Sequence, residues 1–250
     1  MEGIETLTTL TKLELYDNQL LKISHLENLR NLVVLDISFN AIRDMSPVAS
    51  CPNLEELYIA QNKLRKIQGI RAMSKLKILD LGANRIREME EIESLTSLQS
   101  LWLGKNKITC IKGVSGLSNL KQLDIQSNRL PSISNLHDLP SLTELYLAHN
   151  VIDSIDGIPV DSPLSTLDLG SNTISSLEGI EHIKTLNELW MSSCQISTFE
   201  ALQPLSALPA LTCIYLEHSP IARDFEYRMR ITSIVESLEQ LDATDVVRRT

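Results

Sequence analysis

The sequence predicts one elongated α/β solenoid: a right-handed horseshoe with a parallel β-sheet on its concave side, short helical or 3-10 return segments, and a C-terminal cap. Three observations predict it. Asparagines recur every 22 residues at Asn18, Asn40, Asn62, Asn84, Asn106, Asn128, Asn150 and Asn172, and Cys194 takes the next turn in the same slot; a fixed period of this length marks a stack of short coils. Around each Asn the apolar residues follow L-x-x-L-x-L-x-x-N-x-(I/L), as in Leu54, Leu57, Ile59, Asn62 and Leu64. Further apolar residues fall five, eight and eleven places after each Asn, for example Ile67, Ile70 and Met73.

Each part of the pattern has a physical task. The alternation Leu57-Tyr58-Ile59 puts two apolar side chains on one face of a short strand and Tyr58 on the other. The Asn ends the strand, and its amide can both donate to and accept from backbone groups that burial would leave unpaired. Apolar residues three apart in the return segment predict short 3-10 or helical turns. No coil can bury its leucines alone, so neighbours share one continuous core. The pattern resembles the leucine-rich repeat. Ten strands stacked about 4.8 Å apart give a groove on the order of 45 Å long.

The repeats are expected over residues 1–219 and the cap over 220–250, as one domain. The chain opens in mid-repeat, with Ile4, Leu7 and Leu10 fitting a return segment whose strand would precede residue 1, and a truncation is expected there. The last interval stretches to 25 residues between Leu189 and Ile214, and Ser219-Pro220 replaces the Asn slot. The following segment, through Ile231, Ile234, Leu238, Leu241 and Asp242, predicts a capping helix and a short closing segment. Pro159 and Pro163 flank a position where leucine is expected, which predicts a local bend.

Several function classes lack their signatures. The sequence holds no phosphate-cradling, dinucleotide, zinc-protease or hydrolase-elbow motif, so no enzyme and no cofactor are expected. The five histidines are scattered over different repeat slots, and the four cysteines, Cys51, Cys110, Cys194 and Cys213, form no C-x-x-C pair, so neither metal nor disulfide framework is expected. With no apolar run of membrane-spanning length, no secretory leader and no N-x-(S/T) acceptor, an intracellular monomer away from membranes is expected. A net charge of -9 argues against nucleic acid. Basic residues do follow the Asn ladder at Lys63, Arg85, Lys107 and Arg129, and a solvated rim is expected there.

The exposed strand position carries the functional signal. It reads Glu14, Asp36, Tyr58, Asp80, Trp102, Asp124, Tyr146, Asp168, Trp190 and Tyr215, every residue acidic or aromatic, and it takes both tryptophans of the chain. These side chains are expected to leave the core. Acids on alternate strands lie roughly 9 to 10 Å apart, too far for a carboxylate pair and near one Debye length. Two residues later the side chains turn small, at Ala60, Gly82, Gly104, Ala148, Gly170 and Ser192, letting a partner come close. Tryptophan and tyrosine dominate binding hot spots, and aspartates steer basic surfaces. A folded protein with a basic, convex surface is the expected partner.

Over nearly its whole length, including L-D-I-S-F-N (35–40), L-G-K-N-K-I-T (103–109), E-L-Y-L-A-H-N (144–150) and I-Y-L-E-H-S-P through L-D-A-T (214–244), the chain resembles the protein phosphatase 1 regulatory subunit 7 family. The resemblance implies a non-catalytic subunit, in nucleus and cytoplasm, that binds the catalytic subunit of a Ser/Thr phosphatase, with a further phosphatase inhibitor as a third partner. By motif match the implied contact residues are Asp36, Tyr58, Asp80, Trp102, Asp168, Glu188, Trp190 and Tyr215; Asp124 and Tyr146 join them on the column pattern alone. Tyr58, Trp102 and Asp80 stand where the family commonly has Phe, Phe and Glu, while Cys194 and Ser219 depart from it at ladder positions. The alternative is an adaptor of cytoskeletal or ciliary assemblies, which use related 22-residue repeats.

Overall fold

The computed structural model describes residues 1–247. Ten three-residue strands fall one per coil: β1 (Lys12–Glu14), β2 (Val34–Asp36), β3 (Glu56–Tyr58), β4 (Ile78–Asp80), β5 (Ser100–Trp102), β6 (Gln122–Asp124), β7 (Glu144–Tyr146), β8 (Thr166–Asp168), β9 (Glu188–Trp190) and β10 (Cys213–Tyr215). They pair in parallel and in chain order. The register is strict, so that Tyr58 lies beside Asp80 and Asp80 beside Trp102. Every central residue, from Leu35 to Ile214, is fully buried, with only Leu13 of the first coil slightly exposed. The flanking residues point to the other face, as a period of two requires.

The Asn ladder is the second architectural column. Nδ2 of Asn106 donates to the carbonyls of Leu81 (3.0 Å), Leu103 (3.0 Å) and Gly104 (3.3 Å), while its Oδ1 accepts the N–H of Ile86 (2.9 Å). One side chain thus bonds its own turn and the preceding coil. Where the ladder changes residue, the bonds are rebuilt. Cys194 donates Sγ–H to the Leu169 carbonyl (3.3 Å), and Ser219 Oγ accepts the Cys194 N–H (3.2 Å) and donates to the Met191 carbonyl (3.3 Å).

Return segments are mostly turns closed by hydrogen bonds three residues apart, such as Met73 N to Ile70 O and Leu117 N to Val114 O. They tighten into 3-10 helices at Ser46–Ser50, Ile180–His182, Glu200–Ala207 and Pro220–Arg223. The stretched interval before β10 holds the longest of these. At the Pro159–Pro163 irregularity the chain turns on Asp161, which has φ 65°. Helix α1 (Tyr227–Ile234) packs against the Glu200–Ala207 segment. Behind it β11 (Gln240–Leu241) adds to β10 in parallel, and β12 (Thr244–Asp245) folds back antiparallel. Asp242 accepts the N–H groups of Leu216 and Glu217 and the Tyr227 hydroxyl, taking over the ladder's work at this end.

A further column has no glycine signature. The residue before each ladder position, in order Asp17, Phe39, Gln61, Ala83, Lys105, Ser127, His149, Ser171, Ser193 and His218, has φ between 52° and 66°. This left-handed bend, which ordinary residues adopt at a cost of roughly 1–2 kcal/mol, turns the chain from the strand so that the next side chain enters the stack.

Candidate functional site

The concave column is less free than its alternation implies. Glu14 alone is exposed and ion-paired to Lys12 at 2.8 Å; the other nine members are half-buried. All ten leave the hydrophobic core, as their alternation predicts, but nine of them are not freely exposed. A concave sheet crowds its own face, and the side chains find partners within it.

The four aspartates do one local task in common. Asp36, Asp80, Asp124 and Asp168 each accept through Oδ1 the backbone N–H two residues on, of Ser38, Gly82, Gln126 and Gly170, all at 2.9 Å. These bonds fix the exit of the strand just before the left-handed bend. Burial raises the pKa of Asp80, Asp124 and Asp168 above the usual carboxylate range, against the lowering effect of those backbone bonds. Asp124 adds repulsion to both of its neighbours on alternate strands, the mutual field anticipated from their spacing.

The aromatics are similarly anchored. Tyr58 donates its hydroxyl to Glu56 and Tyr146 donates to Glu144, each at 2.9 Å; burial and the adjoining carboxylate push both phenols up to about 12. Trp102 Nε1 donates to Gln122 (3.1 Å). Trp190 Nε1 is buried without an acceptor, because Cys213 occupies on β10 the position that Gln122 holds on β6. The Trp190 ring lies 6.1 Å from that of Tyr146 and 6.3 Å, edge-on, from that of Tyr215, and Tyr215 Oη accepts from Gln240 (2.8 Å).

Two hollows open on this face. One, of about 390 Å³, is walled by Asp168, Trp190 and Tyr215 over a floor of Ala148, Gly170 and Ser192. The other, of about 370 Å³, is walled by Asp80, Trp102 and Asp124 over Ala60, Gly82 and Gly104. They are counterparts four coils apart: from Asp36 to Trp190 the column reads Asp-Tyr-Asp-Trp twice. The sequence carried that longer period, but the 22-residue period masks it. Asp36, Tyr58, Tyr146 and Glu188 belong to the same face but do not line either hollow; Glu188 opens β9, two residues before Trp190 at the pocketed end.

A leucine-rich-repeat pattern matches residues 119–250, and a two-copy leucine-rich-repeat pattern matches overlapping windows from residue 8 to residue 136. The chain belongs to the leucine-rich-repeat family. No curated protein matches it in sequence. Among solved structures, a leucine-rich-repeat protein of Leptospira interrogans superposes with a TM-score of 0.78 at 24% identity, covering 95% of this chain and 67% of that one. The plant peptide hormone receptor RGFR1, solved in complex with RGF2, gives 0.73 at 21% identity over 97% of this chain and 45% of the receptor. The leucine-rich-repeat ectodomain of an Arabidopsis thaliana membrane receptor kinase gives 0.65 at 21% identity, over 96% and 36% respectively. At these identities the likeness is one of fold. This repeat chain spans less than half the length of either plant receptor. Among the described residues, no helix is long and apolar enough to cross a membrane, and no cluster of three or more His, Cys, Asp or Glu could hold a metal ion.

Proposed function

We propose that this leucine-rich-repeat protein is a non-catalytic subunit whose concave face grips the catalytic subunit of protein phosphatase 1, in nucleus and cytoplasm. The observation that carries the reading is the pair of acid-and-aromatic hollows on one rigid sheet. Tryptophan and tyrosine already fixed by neighbours lose little entropy when covered. The column's half-buried aspartates form no ion pair among the described residues, which favours a basic surface as occupant. The phosphatase as occupant comes from the resemblance of the column, Asp36 through Tyr215 with Glu188, to the contact residues of the regulatory subunit 7 family. A further inhibitor could share such a complex by binding the phosphatase outside the groove.

The test is capture from extract with the wild-type chain and with Glu188→Ala/Trp190→Ala, beside thermal melts of both. Phosphatase catalytic subunit is expected in the wild-type eluate and lost from that of the variant, with the two melts close together. Its absence from the wild-type eluate, or equal retention by the variant, overturns the reading.

A further inference from the structure

The rim beside the groove holds a third hollow, of opposite sign. Arg65, Arg85, Arg87 and Lys107 line a concavity of about 230 Å³, on the order of eight water volumes. Three successive coils contribute them: Arg85 and Lys107 directly follow the ladder residues Asn84 and Asn106, and Arg65 and Arg87 lie three places after Asn62 and Asn84. The backbone beneath is held from coil to coil, with Arg85 N bonded to Leu64 O and Lys107 N to Ile86 O, both at 2.8 Å. Four long cations therefore project from a fixed platform into one small space.

Among the described residues, no acid forms an ion pair with any of the four. The ion pairs of the described residues join Lys12 to Glu14, Lys77 to Glu55, Lys112 to Glu88, Arg228 to Asp242 and Arg230 to Glu226. Glu88, next to Arg87 in the chain, is thus engaged by Lys112 at 2.6 Å. Lys63, Lys66, Lys105 and Arg129 add positive charge in nearby slots. In a chain of net charge -9, this is a local reversal of sign. Guanidinium groups present forked donors that match phosphate oxygens, and a lysine adds a point charge.

We infer that Arg65, Arg85, Arg87 and Lys107 form a phosphate-binding hollow for a phosphoserine or phosphothreonine of a protein partner. A protein source is favoured by position: Ala83 and Lys105, which line the groove hollow around Trp102, each stand two residues before a member of the basic hollow. A chain leaving the groove over that lip passes the four cations. This choice of source rests on the groove being a protein-binding face; the affinity for phosphate rests on the four cations alone.

The experiment is an NMR titration of the chain with a capped pentapeptide whose one charged residue is a phosphoserine, its uncharged unphosphorylated twin, and inorganic pyrophosphate. The phosphopeptide is expected to bind at least roughly tenfold more tightly than its twin. Arg85→Gln/Arg87→Gln should remove that difference, while Lys75→Gln/Lys121→Gln, with the same change in charge elsewhere on the surface, should keep it. Trp102→Ala should also keep it, so that failure of phosphatase capture with phosphopeptide binding intact counts against the groove reading alone. Equal binding of the two peptides, equal loss in both double variants, or response to pyrophosphate without response to phosphopeptide overturns the inference. Binding to phosphatidylcholine vesicles containing phosphatidylinositol 4-phosphate, with no response to phosphopeptide, overturns the protein source.

Discussion

Replacing Asn106 by alanine tests whether the ladder holds the coils together. Its amide makes three donations to backbone carbonyls and accepts one N–H. Truncation leaves the Ile86 N–H, in a fully buried residue, without a partner, while the Leu81 carbonyl keeps Asn84 Nδ2 (3.0 Å), the Leu103 carbonyl keeps Asn128 Nδ2 (3.0 Å) and the Gly104 carbonyl keeps the Ala83 N–H (2.7 Å). One orphaned buried N–H costs roughly 1–3 kcal/mol, and with the donations lost from carbonyls that keep another partner the total is about 2–4 kcal/mol. Asn18, in the same slot of the first coil, is exposed, and its side-chain amide donates to Leu15 (3.2 Å) and Tyr16 (3.0 Å). Water replaces those bonds, and Asn18→Ala should cost about 0.5–1 kcal/mol. Urea unfolding followed by tryptophan fluorescence and far-ultraviolet circular dichroism gives both values, with a shared slope as the check that both variants unfold from the same state. Asn106→Ala within about 0.5 kcal/mol of Asn18→Ala would refute the reasoning.

Three further outcomes follow from the packing and the charges. At Gly116 an added Cβ would stand 2.0 Å from the Glu93 carbonyl oxygen, so Gly116→Ala should cost about 1–3 kcal/mol or more, and an unchanged urea midpoint contradicts the close approach. Asp80, Asp124 and Asp168 have folded pKa values raised by burial, so across that window the folded state holds protons the unfolded chain has released. Their contribution to stability falls as pH rises through the raised values. Asn at all three positions keeps an oxygen acceptor for the backbone N–H and should melt higher than wild type at pH 7.5, with the advantage shrinking by pH 4; a constant or reversed advantage excludes it. Cys213→Gln should give the Trp190 indole N–H the acceptor that Gln122 gives Trp102, adding about 1 kcal/mol and slowing exchange of that proton, and unchanged exchange rejects the equivalence of the two positions.

The backbone plan was legible because the 22-residue period encodes it directly. All ten strands, their central core residues and the Asn ladder stand where the spacing put them. The left-handed column was not, since Phe39, Ala83 and Lys105 carry no turn signature and adopt the bend only because strand and ladder on either side impose it. The aspartates were read as groove chemistry alone; their second duty, holding the N–H two residues on, depends on a strand-exit geometry that composition does not reveal. The orphaned indole of Trp190 arises from a neighbour on the next strand, across the 25-residue interval, which local sequence does not place. The basic rim was visible as a stripe, but the part that Arg65 and Arg87, two residues further along their coils, take in one hollow with Arg85 and Lys107 is seen only in the fold.

The twice-repeated Asp-Tyr-Asp-Trp column also acts on anything that would slide along the sheet. A shift of one coil puts acid where the occupant left an aromatic. A shift of two restores the acids but exchanges tyrosine for tryptophan. Only a displacement of four coils, about 19 Å, presents the same series again, and there Tyr215 stands where Asp124 stood. The groove is therefore graduated like a ruler with two marked origins that differ in a single division. A partner seated at one end meets a near copy of its seat at the other, distinguished by one carboxylate exchanged for a phenol.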